Sequence, residues 1–344
     1  MLRTLAAVLL SFLAVTPVFA GGLDAAAVNG AAPPAKVLGS DKLNASIVKL
    51  QILLDRAHFS PGEIDGKLGE NAQKALSAFA ETNELDLGKA ITPDLWSKLA
   101  GLGDGSAIVD YKITNEDLKG PFLKKLPAKM EDMKYLQALN YTSPREALAE
   151  KFHMSEELLQ AINPGKQFDK AGETIAVANV GQQNSMPIAR VEVDKTRQTL
   201  KAFDASGKLL AVFPATVGSS EKPTPSGTLR VTAINQDPTY RYNPEYKFKG
   251  VKSKKPFTIK PGPNNPVGST WINLSAEGYG IHGIADPGKV SKSASHGCIR
   301  LTNWDARTLS ANIKRGTPVV FLDRPGEAAT SGQNQPSATK SSRM

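Results

Sequence analysis

What the chain has little of narrows the reading first. Among its 344 residues there is one cysteine, Cys298, so no disulfide can close within the chain. Only four histidines occur, and aromatic residues make up 6%, so a reactive imidazole has to be found among very few candidates. There is no dense arginine block and no helix-turn-helix, RRM or zinc-finger signature, so nucleic acid is not expected as a partner. After the first twenty residues no run is long and apolar enough to cross a bilayer, and the mature chain is expected to lack a transmembrane segment. What is present is positive charge: 42 Lys and Arg against 33 Asp and Glu, a formal net charge of +9. That excess favours polyanionic partners, such as anionic lipid or an acidic wall polymer, without choosing between them. With 40% hydrophobic and 22% charged residues the composition is that of a folded protein, and the length suggests two to three domains.

The first twenty residues read as a signal peptide. Arg3 supplies a positive start, Leu5 to Val15 an apolar stretch, and Val18-Phe19-Ala20 places small residues at the −3 and −1 positions of a cleavage site. Export is therefore expected. Residues 21–40, rich in Ala, Gly and Pro, read as a flexible leader.

A helical period begins near Asn44. Ile47, Leu50, Leu53 and Leu54 draw one apolar stripe, and Ser60-Pro61-Gly62 and Ile64-Asp65-Gly66 are turns. Ala72, Ala75, Leu76 and Phe79 mark a second helix, and Thr92-Pro93 caps a third with Leu95, Trp96 and Leu99. Three short helices are expected over 41–100. The Leu50-Gln51 pair, Pro61-Gly62, Ile64-Asp65-Gly66, Gly69 and the segment from Ala75 to Phe79 resemble the peptidoglycan-binding domain type 1 family, with Ala80 standing where that family has Gln. Residues 101–133, punctuated by Gly, Lys and Pro, read as a linker with some helix. Over 134–180, Ala147, Leu148, Phe152, Leu158, Leu159 and Ile162 give a helix pair with a Ser155 cap, closed by a strand from Gly172 to Val177. This resembles a degenerate LysM module lacking the Gly-Asp-Thr opening, a small α/β unit. His153 reads as a helix-end residue and His58 as a surface or packing residue beside a turn.

From Pro187 the period changes to two. "ARVEVDKTRQTLKAFD", "GKLLAVFPATVG", "GTLRVTAIN", "WINLS", "YGIHG" and "TPVVFLD" read as strands between Gly, Pro, Asn and Asp turns, so residues 187–323 are expected to form a β-rich, sandwich- or barrel-like domain. One main helix interrupts it, capped by Thr302 with Asp305 three residues on. Residues 235–270 form a long loop of the kind that builds binding segments, and 324–344 read as a disordered tail. The expected whole is multidomain α+β: a three-helix domain, an α/β module and a β-rich domain.

The chemistry gathers in Ser295-His296-Gly297-Cys298-Ile299-Arg300, with His282-Gly283 sixteen residues upstream of the cysteine. A thiol attacks as thiolate, and at an ordinary pKa of about 8.5 little is ionised at neutral pH, so a neighbouring imidazole is needed to take the proton. Gly297 removes a side chain beside the nucleophile, which lets backbone N–H groups face an incoming carbonyl. Arg300 can fork onto a substrate carboxylate, and the Gly283 carbonyl can hold the imidazole tautomer. Three ligands, His282, His296 and Cys298, leave a metallohydrolase open, and an inert wall-binding scaffold is a third reading.

Taken whole, "IHG…SHGCIRL", with "KPTPSGTLRVT" and "NPVGSTWINLS" before it, resembles the L,D-transpeptidase catalytic domain family over 187–323. The resemblance implies Cys298 as nucleophile and His282 as general base. It implies Gly283, His296 and Gly297 in the backbone and orienting roles, and Ser295 and Arg300 at the substrate. It implies no cofactor and no metal, peptidoglycan stem peptides and glycan as partners, carbapenem sensitivity, and a periplasmic, wall-associated location. The acceptor stays open: a stem amine, water or a lipoprotein lysine.

Overall fold

The computed structural model describes residues 23–34, 42–88, 90–103, 105–181, 185–218, 224–246, 251–292 and 297–323. The signal peptide, the C-terminal tail, Ser295 and His296 lie outside the described residues. In chain order the elements are α1 (Ala25–Asn29), α2 (Ala45–Arg56), α3 (Glu70–Thr82), α4 (Pro93–Ala100), β1 (Ile108–Lys112), α5 (Met130–Met133), α6 (Pro144–Lys151), α7 (Glu156–Ile162) and β2 (Thr174–Ala178). Then follow β3 (Arg190–Asp194), β4 (Thr199–Phe203), β5 (Leu209–Pro214), β6 (Gly227–Gln236), β7 (Tyr240–Tyr242), β8 (Phe257–Ile259), β9 (Thr270–Leu274), β10 (Gly280–His282), β11 (Ile299–Arg300), α8 (Asn303–Asn312) and β12 (Pro318–Leu322). Among the described residues no helix is long and apolar enough to cross a membrane.

Helices start where a side-chain oxygen can take up an orphan backbone N–H. Asn44 accepts from Ser46 and Ile47, Thr92 from Leu95, Ser143 from Glu146, Ser155 from Leu158, and Thr302 from Asp305. Proline sits in the first turn of α4 and of α6, where its missing N–H costs nothing.

Helices α2, α3 and α4 share a core of Leu50, Leu54, Phe79, Leu95 and Leu99, which also takes in Val212 from β5. A second core joins α6, α7, β1 and β2 and includes Val48 and Ile52 from the other side of α2. Helix α2 is thus buried on two faces, where the sequence showed one stripe. Two further expectations are corrected here. The leader contains α1, anchored by the fully buried Val28 and by Asn29, whose side chain exchanges two hydrogen bonds with the backbone of Ile108. The linker contains β1, which pairs antiparallel with β2 from Ile108↔Ala178 to Lys112↔Thr174.

The β-rich part is one eight-stranded sheet in the order β11-β10-β9-β6-β12-β3-β4-β5, with a separate β7–β8 hairpin. Its ends meet: the N–H of Thr216, just past β5, donates to the Arg300 carbonyl at 2.9 Å, and the Arg300 N–H returns the bond at 3.0 Å. The sheet curls on itself, and the ends that would be open edges satisfy each other there. Ala306, Leu309 and Ile313 bring α8 into the core beneath β9 and β10. The helical unit also reaches this sheet. Val212 exchanges backbone bonds with His58 and Ser60, and Asn71 Nδ2 donates to the Val290 carbonyl in the approach to Cys298.

Candidate active site

Strand alternation builds the site. Ile272, Ile281 and Ile299 lie abreast on β9, β10 and β11, fully buried in the core. Their neighbours therefore face the other way. In register these are Trp271 opposite His282 and His282 opposite Arg300, with Cys298 two residues before Arg300 and so on the same face. Asn235 on β6 continues the row beside Trp271. This face opens into a cleft of about 760 Å³ whose walls include Trp271, His282, Cys298 and Arg300, with Tyr240 from β7 and Met130 from α5 above them.

His282 is 3% exposed, and its Nδ1 stands 2.6 Å from the Gly283 carbonyl oxygen. A carbonyl only accepts, so Nδ1 carries the proton and Nε2 is left as the basic nitrogen. Burial, with the Arg300 charge adding to it, pushes the imidazole down to about 3 against the opposing pull of the Gly283 carbonyl. The ring is neutral at physiological pH. It stacks on Trp271, with centroids 5.1 Å apart and planes 20° from parallel, and Trp271 Nε1 donates to Asn273 Oδ1 at 2.7 Å. Gly280 makes room for that indole: a Cβ there would stand 2.6 Å from Trp271 Cζ2.

Cys298 is half-buried, with its thiol directed at the Gly278 carbonyl 3.6 Å away. Gly297 before it takes a φ of +99°, a conformation that side chains resist. Arg300 is half-buried as well. Burial lowers its pKa, and the Cys298 thiol and the Tyr240 hydroxyl act in the opposite direction. A guanidinium stays charged under such a shift, so Arg300 places a fixed cation beside a neutral imidazole.

Of the residues singled out from sequence, Cys298, His282 and Arg300 line this one cleft, and Gly283 and Gly297 flank it in the chain. Tyr240 also lines it, whereas Tyr242 is buried against Phe257. Sequence reasoning gave no role to Asn273, Gly280 or Asn303. The first two sit two residues from Trp271 and His282, so strand alternation alone would have put them on the cleft face. Among the described residues, no group of three His, Cys, Asp or Glu side chains converges as a metal site requires.

The family model of the L,D-transpeptidase catalytic domain matches residues 188–321. "Putative L,D-transpeptidase YkuD" of Bacillus licheniformis is 27% identical over 176 residues, 51% of this chain and 90% of that protein. "Putative L,D-transpeptidase YqjB" of Bacillus subtilis is 30% identical over 146 residues, 41% of this chain and 76% of that protein. Among solved structures, an L,D-transpeptidase from Mycobacterium smegmatis is similar at 18% identity with a TM-score of 0.32. That match covers 44% of this chain and 64% of the other, so this chain spans less than two thirds of it.

Proposed function

Because this chain belongs to the L,D-transpeptidase family, we propose that it is a cysteine acyltransferase acting on peptidoglycan stem peptides, with Cys298 as nucleophile and His282 as general base. The observation that carries the reading is the shared face of β10 and β11. It directs a thiol and a neutral imidazole, its Nδ1 already committed to a carbonyl, into the same cleft.

In the first half-reaction His282 Nε2 takes the Cys298 proton, and the thiolate attacks the carbonyl of the third residue of a tetrapeptide stem. Backbone N–H groups around His296, Gly297 and Cys298 hold the oxyanion. The C–N bond to the terminal D-alanine breaks, and the proton on His282 passes to that amine. A thioester remains on Cys298. In the second half, an amine of another stem loses its proton to His282 and attacks the thioester, which forms a 3→3 cross-link and returns the thiol. Ser295 and Arg300 hold the donor, Arg300 through a carboxylate. Water as acceptor makes the protein a carboxypeptidase, and a lipoprotein lysine makes it an anchoring enzyme.

The three-helix unit and the LysM-like unit serve to hold the wall, and the protein works in the periplasm after export. Carbapenems enter by the same chemistry: the thiolate opens the lactam and the whole drug stays as a thioester. Purified protein with a disaccharide-tetrapeptide tests the proposal by intact mass and product analysis. An acyl-enzyme short of D-alanine, followed by dimer, supports cross-linking, whereas tripeptide alone makes water the acceptor. Cys298→Ala is expected to lose the adduct, and an undiminished adduct in that variant overturns the assignment.

A further inference from the structure

Glu150 has no part in the chemistry above, yet its setting is hard to explain by stability alone. It lies on α6 in the LysM-like unit and is 9% exposed, and burial pushes its pKa up. A carboxylate taken out of water is costly unless every oxygen is met. Here both are. Tyr141 donates its hydroxyl to Oε1 at 2.8 Å, and Asn303, the first residue of α8 in the other unit, donates Nδ2 to Oε2 at 3.0 Å. Arg307 approaches Oε1 at 3.9 Å, and Glu146 and His153 are the other ionisable groups that bear on this corner.

The contact with Asn303 leads on to the cleft. Asn303 is fully buried and its amide is fixed at both ends. Nδ2 is shared between Glu150 and the Pro263 carbonyl, and Oδ1 accepts from the Ser269 N–H at 3.1 Å. That oxygen is wedged between two backbones. A Cβ on either Gly268 or Gly283 would collide with it, and Gly268 holds a φ of +62° with its own Cα face against Gly283. Gly283 is the residue whose carbonyl receives His282 Nδ1–H, and its N–H is tied to the Thr270 carbonyl at 3.2 Å. A chain of direct contacts thus runs from Glu150 through Asn303 to the Gly283 peptide and the imidazole.

We propose that Glu150 is a positioning residue for His282: through Asn303 it sets the Gly283 peptide, and so the tautomer and aim of the imidazole. The N-terminal half then contributes to the acyl-transfer step itself, besides any hold on the wall. The inference rests on the reading of Cys298 and His282 given above. Loss of the Glu150 acceptor lets the Asn303 amide turn toward Pro263 alone, which releases Oδ1 from its wedge and loosens the carbonyl that fixes Nδ1. An error of about 1 Å in a reacting group can cost about a hundredfold in rate.

The test is carbapenem acylation of the full chain, followed by intact mass and by fluorescence, with the saturating acylation constant separated from the affinity of the prior complex. Glu150→Ala is expected to lower the saturating constant about tenfold to a hundredfold. Affinity should stay within about twofold, because the variant leaves the carbapenem contacts alone. Glu150→Gln restores most of the rate, since its amide oxygen still accepts from Asn303 and its NH₂ can donate to the Tyr141 hydroxyl. The ¹⁵N imidazole signals of His282 report the same change, with the Nδ1-protonated form diluted in Glu150→Ala and recovered in Glu150→Gln. If Glu150→Ala does not fold, Glu150→Asp keeps the charge on a shorter arm and is expected to slow acylation about tenfold at unchanged affinity. A wild-type constant in a folded Glu150→Ala or Glu150→Asp protein overturns the proposal, as does a parallel fall in rate and affinity. Absence of any adduct in the wild-type protein removes the reading of the site first, which separates the two failures.

Discussion

Two histidines in this chain share a stacked tryptophan and a short Nδ1 contact, yet their pKa values shift in opposite directions. His282 in the cleft is buried, His153 at the junction of the units is half-buried, and both stack on a tryptophan. His282 lies 5.1 Å from Trp271, and His153 lies 5.0 Å from Trp304. Each uses Nδ1 for one short polar contact. For His282 the partner is the Gly283 carbonyl at 2.6 Å and the nearest charge is Arg300, so burial and a neighbouring cation both push the ring toward neutrality. For His153 burial again lowers the pKa, but the Asp55 carboxylate at 3.0 Å, with the carboxyl groups of Asp305 and Glu150 beyond it, outweighs burial and raises it. Stacking and desolvation are common to both, so the sign of the neighbouring charge decides. One ring is held toward its neutral form, and the other is drawn toward its protonated form where three segments of chain meet.

The largest effect should come from removing the base. His282→Ala is expected to slow carbapenem acylation by about 10²–10⁴-fold with the fold intact, and unchanged kinetics would reassign proton abstraction. Next is the counter-ion of the other histidine. Asp55→Asn removes the carboxylate that His153 Nδ1 contacts and should cost about 1–3 kcal/mol in urea unfolding. A raised folded pKa means that the native state holds the His153 proton more tightly than the unfolded chain does. The stability it contributes is therefore full below about pH 6.5 and fades as pH rises through the folded value, so the variant should lose more at pH 5 than at pH 9. Equal loss at both would break the comparison.

Arg300→Met tests the cation beside the base. It should raise the His282 pKa from about 3 toward its ordinary range, so the acid limb of the acylation rate moves to higher pH, while burial keeps the shift incomplete. The smallest effect is expected at Asp305, whose carboxyl accepts from Ser60 Oγ at 2.9 Å and is raised to about 7 by burial and by Asp55. The native state there holds a proton that the unfolded chain releases near pH 4, so stability declines from about pH 4 to about pH 7 and then levels. Asp305→Asn should flatten that decline in a Tm-against-pH series, and an unaltered slope would assign it elsewhere.

Local signals carried much of this structure. Thr92, Ser155 and Thr302 announce helix starts because each offers a hydroxyl to orphan N–H groups, and period-two runs mark β3, β4, β5, β6, β9, β10 and β12. The contents of the cleft were legible because the His motif ends β10 and the Cys motif leads into β11. The strands β7, β8 and β11 have three, three and two residues, and β7 and β8 lie in the Pro-, Lys- and Tyr-rich stretch that reads as a loop, so no period registers there. Strand β1 was hidden for another reason: its partner β2 lies more than sixty residues on, and Lys and Asp interrupt its apolar positions. Nor could the sequence show that His153 belongs to Asp55, 98 residues earlier, and to a tryptophan far downstream. Such pairings exist only once the units dock, which is also why Glu150 and Asn303 carried no local signal.

The two-faced burial of α2 bears on how the protein can be handled. With Val48 and Ile52 in one core and Leu50 and Leu54 in another, and with Val212 of the sheet filling the second, no cut between the units leaves every piece dressed. A fragment beginning after residue 186 would bare Val212 and the ring of Trp304 to water. Calorimetry of the intact chain is accordingly expected to give a single melting event, and a fragment cut there to be prone to aggregation.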